Sequence, residues 1–227
     1  MEWVGMNRYS IGNILNALNN QKESVEDNIK LPVLSRKNSF DSAIILGGGK
    51  SSKNHCVAIK KLAEGKNGFC IIHAGARNVS TYLDMGNKQF YALAGFESEK
   101  LLKTIGDISK LEEKTCVYPP FPRNMGTIIP AAIEKVSVEL EAITFTKVSI
   151  DSPMALGFQI ALDLGVKNIY LAGFDGYDTS IDQTQFKLAQ ENQNILNDAL
   201  QLNKLEVISI TPTNYKKVTT ISIYSII

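Results

Sequence analysis

The chain has 227 residues, 44% of them hydrophobic and 21% charged, with a formal net charge of +1. Such a length and composition suit a globular fold with a full core, in need of no metal or disulfide. The near-neutral balance excludes a global basic field of the kind that draws nucleic acid or an anionic membrane.

The first predicted element is a helix over residues 10–21, SIGNILNALNNQ. Ile11, Ile14, Leu15 and Leu18 recur at helical spacing behind Ser10 as N-cap. Residues 22–41 are polar and broken by LPVL, so residues 1–40 read as a helical arm and linker. From residue 41 to residue 227 the rhythm is that of an α/β domain. SAIILGG is a short apolar run ending in glycines, followed by a helix near residues 53–64. GFCIIHAG, a helical NVSTYLDMG, KQFYALAGF and a helical ESEKLLKTI continue the alternation. Residues 114–150 are less regular: PPFPRN is a loop and VSVELEAITF reads as an edge strand. SPMALGFQIALDLG predicts an amphipathic helix, with Ser152 as N-cap, Pro153 at the first position and Gly165 as the stop. NIYLAGFDGY is a strand, residues 181–202 a long helix, LEVISITPT a strand and TTISIYSI a last strand. Strands alternating with helices predict a three-layer Rossmann-like α/β domain around a mostly parallel sheet.

Several chemistries are excluded early. The three cysteines, Cys56, Cys70 and Cys116, form no C-x-x-C pair, and two histidines, His55 and His73, cannot build a His-rich metal site. Cys70 falls inside a strand and reads as core. No G-x-S-x-G is present. No apolar run approaches the roughly 20 residues that span a bilayer, and MEWVGMNRYS lacks the basic start of a signal peptide. The expectation is a cytoplasmic protein without membrane or nucleic-acid partners.

In an open α/β sheet, ligands sit beyond the carboxyl ends of the strands. Those ends carry GGGKSS, HAGARN, GFESE, DGYD and TPTNY. The first is not a P-loop: Gly49, Lys50 and Ser51 match its end, but Ile44 stands where its first glycine belongs. Nor does it complete a dinucleotide fingerprint, since Ser52 stands at the third glycine and no acidic residue follows at Cys70 to Gly75. Gly47, Gly48, Gly49, Lys50 and Ser51 remain a candidate anion loop before a helix N-terminus, or a turn chosen for geometry alone. Asn78, Thr211 and Tyr215 at other strand ends are further candidate ligand contacts. His73 is a candidate base or a structural histidine. Asp175 could hold a sugar hydroxyl or move a proton, or serve as a turn residue, with Tyr177 beside it. Asp151 and Ser152 open a helix. Arg123 and Asn124 sit on a proline-rich loop able to cover a ligand.

Three segments, LGGGKSSKNH, SPMALGFQIALDLGVKNIYLAGFDGYD and ISITPTNYK, together resemble a known module. It is the C-terminal domain of bacterial 4-hydroxy-2-oxovalerate aldolase-like and HMG-CoA-lyase-like proteins, over roughly residues 42–224. The resemblance implies an accessory domain beside a TIM barrel that this chain lacks, with no aldolase chemistry of its own. More distantly, the chain is similar to the Rossmann-like bacterial sialyltransferases and to the family containing archaeal pterin pyrophosphokinases. That likeness implies a cytidine nucleotide sugar, with Gly47 to Ser51 at the phosphates and Ser152, Asp175 and Tyr177 near the nucleotide or sugar. The chain departs from the sialyltransferase pattern at Gly48 and Pro153, and no histidine follows His73. The polar strand ends predict a nucleotide- or nucleotide-sugar-binding domain, and the resemblance implies that it is an accessory domain of an aldolase-like protein serving surface-polysaccharide synthesis. The alternatives are a transferase on an activated sugar or pterin, with His73 or Asp175 as base and Lys50 or Arg123 at the departing phosphate, and a docking module that pairs chains through its N-terminal arm into a homo-oligomer.

Overall fold

The computed structural model describes residues 29–35, 40–65, 68–123, 127–177 and 182–227. The arm helix expected over residues 10–21 and the candidate Asn124 lie outside them. The described chain is an α/β Rossmann-like fold built on one 8-stranded sheet. Its strands are β1 Ser42–Leu46, β2 Phe69–His73, β3 Lys88–Ala92, β4 Thr115–Tyr118, β5 Ser137–Glu139, β6 Asn168–Ala172, β7 Glu206–Ser209 and β8 Thr219–Thr220. Its helices are α1 Lys50–Asn54, α2 Cys56–Glu64, α3 Glu97–Ile105, α4 Pro153–Asp163 and α5 Gln183–Leu200. The strand order is β5-β4-β3-β2-β1-β6-β7-β8, and every pairing is parallel.

The sheet is parallel because each strand is followed by a crossover that returns the chain to the same edge. Central strands are buried on both faces, and β1 and β2 are wholly buried. Alternate residues feed two cores. Ala43, Ile45, Cys70 and Ile72 pack under α4 and α5, while Ile44, Leu46 and Ile71 pack under α2. Tyr91, Cys116 and Tyr118 meet α3 on that second side. From β1 to β5 the chain steps steadily to one edge. It then recrosses through α4 to place β6 on the other flank of β1. The direction of winding therefore reverses between β1 and β6, which opens a crevice beyond their carboxyl ends.

Several elements differ from the sequence reading, each for a physical reason. NVSTYLDMG forms only a short 3-10 turn, Val79–Thr81, in which Val79, like Tyr82 just after it, is buried by tertiary packing. TCVY, unassigned in the sequence, is β4. Its four residues are too few to show a period. The helix over SPMALGFQIALDLG is not amphipathic: it lies across the sheet and is buried nearly all round, including Gln159 and Asp163. Gln159 accepts from the Thr144 N–H at 2.9 Å and donates to Asp163 Oδ1 at 3.0 Å, which satisfies those polar groups internally. TTISIYSI supplies two strand residues and then the 3-10 turn Ile223–Ser225. Residues 29–35, assigned to the linker, lie along β5. Leu34 N–H donates to Glu139 O, Glu139 N–H donates to Pro32 O, and Leu31 and Leu34 are buried.

Candidate functional site

The β1 and β6 ends touch through backbone. Gly47 N–H donates to Ala172 O and Gly49 N–H to Gly173 O, both at 2.8 Å. A Cβ on Gly47 or on Gly49 would stand 2.5 Å from Gly173 O, and one on Gly173 would stand 2.6 Å from Ser52 Cβ. Gly173 also has φ +77°, which side chains rarely adopt. These glycines therefore let two loops close on each other. Gly48 differs: a Cβ there would make ordinary contact, 3.6 Å from Arg77.

Side chains lock the glycine loop from both flanks. Asp175, after β6, accepts from Ser51 N–H at 3.0 Å and from Ser51 Oγ. Ser51 Oγ lies 3.0 Å from Thr211 Oγ1, which accepts the Gly173 N–H at 3.0 Å. On the other flank, Asn78 Nδ2 donates to Gly49 O at 3.1 Å and to Ser52 Oγ at 2.8 Å, and Tyr82 OH donates to Ser52 O at 2.6 Å. The N-terminus of α1 is thus capped by a carboxylate of the protein itself, where an anion loop would place a phosphate.

Above these loops lies a cleft of about 1290 Å³. The predicted residues Gly47, Gly48, Gly49, Ser152, Asp175, Tyr177 and Tyr215 line it. So do residues that the sequence reading passed over: Arg77, Glu97, Lys100 and Lys103 on the β2–β3 side, and Phe174 and Asn192 on the β6–β7 side. Arg77 stood inside the quoted HAGARN, and a cation four residues past a strand end was the signal available. Asn192 is a polar residue within α5 and carried none. Lys100 pairs with Glu97 at 2.6 Å and Lys103 with Glu99 at 4.0 Å. Arg77 is exposed and has no ion-pair partner among the described residues. Ser152 caps α4, accepting from Ala155 N–H at 3.1 Å, and α4 starts at the cleft wall.

Other candidates lie elsewhere. His73 is 2% exposed and does not line the cleft. Its ring stacks on Tyr91 with centroids 4.6 Å apart, and Nε2 meets Gln89 Oε1 at 3.0 Å. Gln89 Nε2 donates to Tyr82 O and Met85 O, so Oε1 faces the histidine and Nε2 carries its proton. Burial lowers the His73 pKa to about 4, against the smaller effect of the Gln89 hydrogen bond. The reading of His73 as a base gives way to that of a neutral core histidine. Arg123 does not cover a ligand: its guanidinium donates to Ile29 O at 2.8 Å and pairs with Glu139, both side chains buried. It holds residues 29–35 against β5, since Glu139 also accepts the Leu31 N–H at 3.1 Å. Lys50 is exposed and lies outside the lining, while Ser51, Asn78 and Thr211 act within the hydrogen-bond network beneath the cleft. Among the described residues, no group of three or more His, Cys, Asp or Glu side chains is placed to hold a metal ion, and no helix is long and apolar enough to cross a membrane.

Fold and site together define a Rossmann-like α/β chain whose wide cleft sits where the winding of its sheet reverses. Known proteins place it as follows. Among solved structures, the chain is similar to the MAf glycosyltransferase from Magnetospirillum magneticum AMB-1, with a TM-score of 0.55 at 14% identity, over 87% of this chain and 35% of that one. At that identity the likeness is one of fold, and this chain spans about a third of the other's length. No family model and no curated protein matches the sequence. The neighbour is a glycosyltransferase, the broad class that includes the sialyltransferases; it does not correspond to the aldolase-like resemblance.

Proposed function

We propose that this chain binds a nucleotide or nucleotide sugar in the cleft at the β1/β6 reversal, as part of a glycosyl-transferring protein. The observation that carries the reading is that Arg77, Gly48 and the start of α4 line the same cleft as Asp175 and Tyr177. A guanidinium and a side-chain-free backbone suit a phosphate. A carboxylate suits sugar hydroxyls, and both Asp175 oxygens keep a second lone pair beyond the bonds to Ser51. In a transfer reaction Arg77 stabilises the charge that gathers on the departing phosphate, the role first given to Lys50 or Arg123. The glycosyltransferase fold of the structural neighbour supports a transferase over a pure docking module. An aldolase-associated protein or a polysaccharide pathway would change the setting of this cleft and leave its chemistry as described.

A thermal-shift screen against cytidine, uridine, guanosine and adenosine phosphates and their sugar conjugates tests the proposal. One ligand class raises the melting temperature at millimolar concentration, and Arg77→Ala weakens that ligand by roughly tenfold to a hundredfold, the worth of a charge-assisted hydrogen bond. A screen without any shift, or binding indifferent to Arg77→Ala, contradicts it.

A further inference from the structure

We infer that Tyr215 and Asn192 form a nucleobase-reading pair at the far end of the cleft; this rests on the nucleotide reading above. The lining changes character along the strand ends. Arg77 follows β2, Gly48 follows β1, Asp175 and Tyr177 follow β6, and Tyr215 follows β7, with Asn192 on α5 beside it. Those four strands are adjacent in the sheet. Three strand spacings amount to about 14 Å, enough for an extended nucleotide from phosphate to base. The order cation, glycine, carboxylate, aromatic ring matches the order phosphate, ribose, base.

The far end is built for an uncharged ring. Asn192 Nδ2 donates to Tyr215 OH at 3.1 Å. The Tyr215 hydroxyl proton and the Asn192 carbonyl oxygen then remain as a donor and an acceptor side by side, the complement of the adjacent acceptor and donor that every nucleobase presents on its pairing edge. The Tyr177 ring on the cleft wall offers a stacking face. The pair is also held in place. Tyr215 N–H donates to Thr213 Oγ1 at 3.2 Å, Thr213 Oγ1 donates to Phe174 O at 2.6 Å, and Asn214 N–H donates to Asp175 O at 2.9 Å. These bonds zip the TPTNY turn onto the GFDGY turn. They fix the base-reading end relative to the carboxylate that would meet the ribose. The charged side chains of α3, at the opposite end, are left for the group beyond the phosphate.

The test compares ribose 5-phosphate with the monophosphates of cytidine, uridine, guanosine and adenosine by titration calorimetry on the full chain. The wild type binds at least one nucleotide tighter than ribose 5-phosphate. Tyr215→Phe and Asn192→Ala each cut that advantage by about tenfold, whereas Arg77→Ala weakens nucleotide and ribose 5-phosphate alike. If nucleotides bind but the advantage survives both substitutions, or if the two substitutions weaken ribose 5-phosphate equally, the base-reading pair is refuted and the nucleotide cleft stands. If neither ligand binds, both fall. Melting temperatures measured alongside separate lost contacts from lost folding.

Discussion

Two of the three consecutive glycines sit where any side chain would strike backbone. Gly47→Ala and Gly49→Ala each drive a methyl into Gly173 O, a collision that a flexible side chain cannot relieve. Each substitution should cost about 1–3 kcal/mol of stability, in the range of forced overpacking, whereas Gly48→Ala should fold like the wild type; chemical denaturation measures all three. His73 makes a second residue-scale prediction. Its folded pKa of about 4 lies below the ordinary 6.5, so between those values the unfolded chain binds the extra proton. Stability should therefore fall as pH drops from 6.5 towards 4, by up to about 1.4 kcal/mol per pH unit from this residue. It should be flat in this contribution above 6.5. Denaturation curves between pH 4 and 7 should show that slope, and His73→Gln should flatten it. A variant with an unchanged slope would assign the acid sensitivity to other groups.

At the scale of elements, residues 29–35 are held on β5 by backbone bonds, buried leucines and one ion pair. Arg123 and Glu139 are both buried, and each also bonds the backbone of residues 29–31. Removing one partner leaves a buried charge uncompensated, so Arg123→Ala should cost about 3–5 kcal/mol. Hydrogen exchange should report the loss first at Leu31, Leu34 and β5, with the cleft amides protected as before. Sequence reasoning misplaced Arg123 because proline-rich loops with a cation read alike whether they face a ligand or an internal carboxylate. Its partner Glu139 lay within an alternating strand pattern that gave no hint of burial. The boundaries of α3 and the cap of α4 were legible, because Glu97–Ile105 is strongly two-faced and Ser152, Pro153 and Gly165 are strong local signals. β4 was not legible: four residues, three of them buried in succession, show no periodicity, and only pairing with β3 and β5 makes them a strand.

For the molecule as a whole, the alternation of strands and helices disclosed the fold class, and the rule that ligands meet strand ends disclosed part of the cleft lining. Strand order was beyond the sequence, because it depends on the long return through α4. Without it, the pairing of β1 with β6 could not be seen, nor why Asp175 reaches Ser51 across 124 positions. Arg77 carried a signal as a cation just past a strand end, whereas Asn192 became visible only once that crevice existed. The proposal that the crevice holds a nucleotide can be tested residue by residue, by amide NMR of the labelled chain titrated with each nucleoside monophosphate. One nucleotide should shift the signals of Gly48, Arg77, Asp175 and Tyr215 together and saturably. Shifts confined to other surfaces, or none at millimolar ligand, would contradict the proposal.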